Sequence, residues 1–92
     1  MDEMIDCLLY HQGLAERDLG EALTILRSRY PQASNELDSA QADWSQYRES
    51  HCYFVAYPYG ALSGSEARLD NVSCKTEMTR RRTAELSDLI DR

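Results

Sequence analysis

Two cysteines constrain this chain more than any other pair of residues. Cys52 and Cys74 each lie eleven residues from position 63. That midpoint falls inside Pro58–Gly64, the one stretch where proline and glycine concentrate. If helices flank such a turn and run antiparallel, the two sulfurs stand at the same height, within the Cα separation of about 7 Å that a disulfide tolerates. The alternative is a pair of buried free thiols in a reducing compartment. A bridge closing a loop of about 23 residues contributes roughly 3 kcal/mol on the chain-entropy account. That matters for 92 residues, near the lower end of what one hydrophobic core stabilises unaided. A disulfide of this kind belongs to an oxidising compartment, the periplasm or the cell exterior.

Composition narrows the fold class. Leu, Ala, Glu, Arg and Gln abound, while Ile and Val together number five, a balance that favours helix over strand. With 4 Gly and 2 Pro, disorder is not expected. No apolar run approaches the roughly 18 residues of a membrane span. Met1-Asp-Glu-Met opens on acid, so no signal segment is read within this chain and residues 1–92 form one helical domain. Residues 1–43 hold nine acids and three bases, a balance of −6, whereas residues 44–92 hold seven of each. Nucleic acid, which demands a basic face, is therefore excluded as the natural partner. A basic protein is the better electrostatic match.

The apolar spacing predicts three long helices. Helix 1 runs from Asp2 to about Tyr30 with Met4, Ile5, Leu8, Leu9, Leu19, Ala22, Leu23, Leu26 and Tyr30 on one stripe. Gly13 and Gly20 weaken its interior and suggest a bend or a close helix contact. Pro31 ends it. Helix 2 starts between Pro31 and Asn35 and reaches about Tyr57, its inward stripe being Leu37, Ala40, Trp44, Tyr47, His51, Phe54 and Val55. Ser63-Gly-Ser-Glu66 has the spacing of a capping box. Helix 3 follows to about Asp91 with Leu69, Val72, Met78, Leu86, Leu89 and Ile90 inward. The expected fold is all-α: an elongated antiparallel three-helix bundle whose helix 2–helix 3 hairpin is disulfide-linked.

Chemistry-bearing residues are few. Cys7 and His11 are four apart on one helix face, and His51 precedes Cys52. Adjacent helical residues point about 100° apart, so these four do not converge on a zinc ion. No third orienting group or oxyanion donor completes a nucleophilic dyad. No nucleotide or phosphate motif is present, so no enzyme, cofactor or metal is expected. Trp44, Tyr47 and Arg48 read as packing, with Gln41 and Arg48 bonding across helices or to acids such as Asp18. Arg80 and Arg81 read as a solvated face, with Arg82 turned inward to an acid on helix 1 or 2. The hairpin end, Tyr57, Pro58, Tyr59 and Gly60, is the candidate partner-binding surface, since tyrosine-rich loops on a rigid stem suit recognition. The competing reading packs those rings on the start of helix 1.

Leu37, Ala40, Gln41, Trp44, Arg48 and Cys52, then Gly64-Ser65, then Cys74, Met78, Thr79, Arg82 and Leu86 together resemble the LprI-like lysozyme-inhibitor family of small bacterial envelope proteins. Its pattern reads L-x-x-A-Q-x-x-W-x-x-x-R-x-x-x-C, a G-S turn, and C-x-x-x-(apolar)-T-x-x-R-x-x-x-L, covering about residues 37–86. The resemblance implies a periplasmic or secreted protein that binds and inhibits a lysozyme-type muramidase, a basic lysozyme being the implied partner. The alternative is a structural or scaffolding module of the envelope, dimeric through helix 1 or a Cys7 bridge. Helix 1 matches less well: an expected Leu-Asn and following Tyr appear as Leu19-Gly20 and Leu23. The resemblance also implies a partner cysteine upstream of Cys7, and no cysteine precedes Cys7 here. Cys7 is thus the odd thiol: its partner lies on a segment cut away upstream, or it is free, intermolecular, or mispaired with Cys52.

Overall fold

A computed structural model describes residues 2–58 and 65–92. Helix α1 spans Asp2–Arg29, α2 spans Ser34–Ala56 and α3 spans Ser65–Ile90. A single 3₁₀ turn, Pro31–Ala33, joins α1 to α2. Pro31 lacks an amide hydrogen and cannot extend α1. The helix therefore closes with the Tyr30 amide on the Leu26 carbonyl, and the Ala33 amide then reaches back to the Tyr30 carbonyl. The Ser63–Glu66 capping box lies outside the described residues.

The helices form the expected antiparallel bundle. Arg27 pairs with Asp38 and Arg48 with Glu16, so α1 and α2 run in opposite directions. Cys52–Cys74 and the Arg82–Gln41 hydrogen bond do the same for α2 and α3. It follows that α1 and α3 are parallel, and Arg29 near the end of α1 bonds the Ile90 carbonyl near the end of α3. The extents are 45 × 25 × 16 Å, so the bundle is long and thin. Helix α3 is the central element, packing extensively on α1 and on α2. Helices α1 and α2 barely meet, and are joined mainly by the charged bridges just named.

This arrangement divides the core along the long axis. The apolar cluster of Leu19, Ala22, Leu23, Leu26 and Leu86, with Leu37, Trp44 and Ile90 against it, fills the half nearest the α1–α2 turn. In the other half the buried side chains are mostly small, among them Ala15, Ala56, Ala67, Val72 and Thr76, along with Ile5. Small residues bury little apolar area per position. The disulfide sits in this thinner half, with Cys52 fully buried. Thr76 is buried because its hydroxyl donates to the Val72 carbonyl one turn back.

Several residues expected inward face solvent. Met4 and Leu9 on α1, and Tyr30 just after it, are exposed, and Ala15 is buried instead. A helix with one close neighbour buries a narrower arc than one wedged between two. On α3, Leu89 is exposed, while Ala67, Thr76 and Thr79 are buried. The largest difference concerns α2. Tyr47, Phe54 and Val55 are exposed, at 59%, 67% and 45%, as is Ala40. The inward stripe is Leu37, Gln41, Trp44, Arg48, Cys52 and Ala56, also spaced by three and four, with Ser34, Ser45 and the expected His51 half-buried beside it. Two interleaved stripes occupy this helix, and the one containing Gln41 and Arg48 wins because its polar groups find partners. Finally, a Cβ placed on Gly13 or Gly20 meets nothing within 4 Å, so neither glycine serves a close helix contact.

Candidate functional site

The inner stripe of α2 meets α3 in a ladder of unlike rungs. At one end Cys52 and Cys74 are bonded with their Cα atoms 5.5 Å apart. The Met78 sulfur lies 3.5 Å from that of Cys52, a van der Waals contact because a disulfide sulfur carries no proton. Next, Lys75 pairs with Glu49 at 3.2 Å. Arg48 then donates to the Thr79 hydroxyl at 3.0 Å, and Arg82 donates to the Gln41 carbonyl oxygen at 3.1 Å. Leu37 and Leu86 complete the series inside the apolar cluster.

Arg48 is the point where all three helices join. Its side chain is only 11% exposed, and a guanidinium nitrogen lies 2.5 Å from Glu16 on α1. Nε reaches Glu49 at 3.3 Å, and the guanidinium carbon sits 5.1 Å from the centre of the Trp44 ring. Thr79 is fully buried; its hydroxyl donates to the Lys75 carbonyl at 2.7 Å and accepts from Arg48. A buried guanidinium needs its donors occupied and its charge balanced, and these neighbours supply both. Asp18 is not the acid involved, since it pairs with Arg17. Arg82 likewise turns inward not to an acid of another helix but to the amide of Gln41, and bonds Glu85 of its own helix at 3.1 Å.

At the hairpin end, α2 closes with the Tyr57 amide on the Tyr53 carbonyl. The two rings lie 4.7 Å apart. Tyr57 is half-buried and Pro58 exposed. Tyr59, Gly60 and Gly64 lie outside the described residues, and Ser65 is the first residue of α3. Cys7 is a free, exposed thiol, and Cys52 is bonded to Cys74, so a Cys7–Cys52 bond does not form.

The Cys and His side chains do not assemble. His11 lines a groove between α1 and α3 with Leu8, Ser73, Thr76 and Arg80. His51 stacks on Tyr47 at 5.4 Å, bordering a separate cleft between α2 and α3 lined by Trp44, Met78, Arg81 and Arg82. Among the described residues, no three His, Cys, Asp or Glu side chains are grouped to hold a metal ion. No helix among them is long and apolar enough to cross a membrane. Sequence reasoning missed Glu16 as the partner of Arg48 and the outward aspect of Tyr47 and Phe54. The spacing of Glu36, Ala40, Asp43, Tyr47 and Phe54 carries that second signal, in steps of three, four and seven.

The profile of a protein family described as "Lysozyme inhibitor LprI" matches residues 1–86. An uncharacterized protein of Rhizobium meliloti (strain 1021) is 32% identical over 76 residues, which cover 83% of this chain and 50% of that protein. The chain thus spans about half the length of the curated relative it matches. No solved structure matches the chain.

Proposed function

The chain belongs to the LprI lysozyme-inhibitor family, and on that premise we propose that it is an extracytoplasmic protein that binds and inhibits a lysozyme-type muramidase. The family match over residues 1–86 carries this reading. The Cys52–Cys74 bridge agrees with an oxidising location in the periplasm or outside the cell. A net charge of −6 steers a basic enzyme toward the protein and accelerates encounter at low ionic strength. Inhibition of this kind asks no chemistry of the inhibitor, only a rigid surface that covers the carboxylate-bearing cleft. The end of the α2–α3 hairpin, Tyr57, Pro58, Tyr59 and Gly60, is the proposed contact, presented on a disulfide-braced stem.

The test is lysis of bacterial cell walls by a basic lysozyme, with the protein in stoichiometric excess at low and moderate salt. The expected result is slowed lysis, relieved as salt rises and weakened by Tyr59→Ala. Undiminished lysis at low salt removes the inhibitor reading. One observation favours a second reading, an envelope scaffolding module: Cys7 is a free thiol exposed on α1, and Tyr10, three residues on, is 65% exposed. A dimer in solution that dissociates with reductant would support that reading.

A further inference from the structure

Helix α2 has a face that the fold leaves unused. Glu36, Ala40, Asp43, Tyr47 and Phe54 are all exposed. Their spacing places them along a flank of α2 turned well away from Gln41, Arg48 and Cys52, with Tyr47 at the rim of the α2–α3 cleft and Glu36 at the rim of a groove near the end of α3. Eighteen residues of helix make a stripe about 27 Å long, the linear size of one side of a standard interface of roughly 800 Å² per partner. The exposed Tyr47 and Phe54, in its half nearer the hairpin end, are the side-chain types that anchor such interfaces. Tyr47 is held in place by stacking on His51, so less of its freedom remains to be lost on binding.

The charges along the stripe select the partner. Glu36 and Asp43 take part in no ion pair among the described residues. Arg48 is the only Lys or Arg on α2, and it faces inward. Across the α2–α3 cleft Arg81 is committed to Glu77 and Arg82 to Glu85 and Gln41, and Arg92, which shares a groove with Glu36, makes no ion pair with it. A second copy is a poor occupant, because two such stripes paired about a dyad bring the carboxylates near Asp43 together on molecules each carrying a net charge of −6. We infer that the outer stripe of α2, with Tyr47 and Phe54 as anchors between Glu36 and Asp43 on one side and the hairpin end on the other, docks a cationic protein surface. This rests on the reading of the chain as an inhibitor of a basic muramidase, and it extends that contact from the hairpin end down the flank of α2.

The experiment measures binding of egg-white lysozyme, a basic probe, to the whole protein and, in parallel, inhibition of its lytic activity. Tyr47→Ser and Phe54→Ser are each expected to weaken Kd by about tenfold or more. The pair Glu36→Gln with Asp43→Asn is expected to slow association and flatten its salt dependence. Tyr10→Ser, which removes an equally exposed ring on α1, leaves Kd unchanged. Because these side chains are exposed, melting temperatures stay at the wild-type value. Hydrogen exchange supplies a second readout, with protection across 43–57 in the wild-type complex.

Weakening by the α2 variants but not by Tyr10→Ser supports the stripe. Unchanged Kd for all of them, with wild-type inhibition intact, overturns the stripe and leaves the inhibitor reading standing. Binding at the stripe without inhibition keeps the surface and removes the inhibitor. No binding by the wild-type protein overturns both.

Discussion

Replacing Arg48 with Ala should cost about 3.5 kcal/mol, although on paper the change removes only ion pairs to the half-exposed Glu16 and Glu49. The magnitude follows from what the guanidinium touches. Its partner Glu16 is 42% exposed and rehydrates when released, so that pair contributes only about 0.5 kcal/mol. The bond to the buried Thr79 hydroxyl is charge-assisted and lies in the interior, worth about 1.5 kcal/mol. Stacking over Trp44 adds ~0.5 kcal/mol, and the lost packing of the aliphatic stem about 1 kcal/mol. Thr79 is not orphaned by the change, because its hydroxyl still donates to the Lys75 carbonyl. Urea unfolding followed by far-ultraviolet circular dichroism reads the loss as a midpoint lowered by about 1.5–3 M. Glu16→Gln is the control and should cost no more than ~0.5 kcal/mol. If Arg48→Ala costs under ~1 kcal/mol, or Glu16→Gln costs as much as Arg48→Ala, the three-helix junction contributes nothing beyond a surface ion pair.

Two further outcomes follow from the same structure. Replacing both Cys52 and Cys74 with Ala frees a 22-residue separation and should remove roughly 3 kcal/mol, lowering the melting temperature by about 15 °C in a thermal scan; a drop under ~4 °C would show the thin half of the bundle to be self-sufficient. Gly13→Ala and Gly20→Ala meet open space and should each raise stability by ~0.5–1 kcal/mol, and a loss at either would reveal a backbone demand that the helix does not display.

Much of the fold is legible in the chain, because the signals that specify it are local. Pro31 stops one helix, the Pro58–Gly64 stretch separates the next two, and the symmetry of Cys52 and Cys74 about that stretch sets their register. Register in turn brings Gln41 opposite Arg82 and Arg48 opposite Thr79. The facing of α2 is less legible. Hydrophobic spacing scores Tyr47 and Phe54 as core, and both are exposed, whereas Arg48, expected to bond across helices, does so and is largely buried. The reason is that periodicity ranks side chains by their cost of leaving water alone, whereas a buried polar group is ranked by its partners. Those partners, Glu16 and Thr79, lie about thirty residues away in either direction. No window along α2 contains them.

The two faces of α2 therefore answer to different demands. A bundle 16 Å thin in one direction offers few positions wholly out of water, and α2 touches one neighbour along most of its length. Hydrogen-bonded rungs suit that geometry, because a long polar side chain spans the gap to α3 while its stem covers apolar surface. Once the inner face is held by Arg48, Gln41 and the disulfide, the outer rings have no part in holding the helix. Tyr47 and Trp44 make the contrast on a single turn. Trp44 packs against the Leu cluster and under the Arg48 guanidinium, whereas Tyr47 is 59% exposed. Losing the first removes core, and losing the second removes surface that the fold does not use. An aromatic ring exposed on a face that the core does not use is free to meet a surface outside the chain. On this protein that surface carries, among the described residues, two carboxylates in no ion pair, Glu36 and Asp43, and the exposed Tyr53 and Val55 flank Phe54 at its other end.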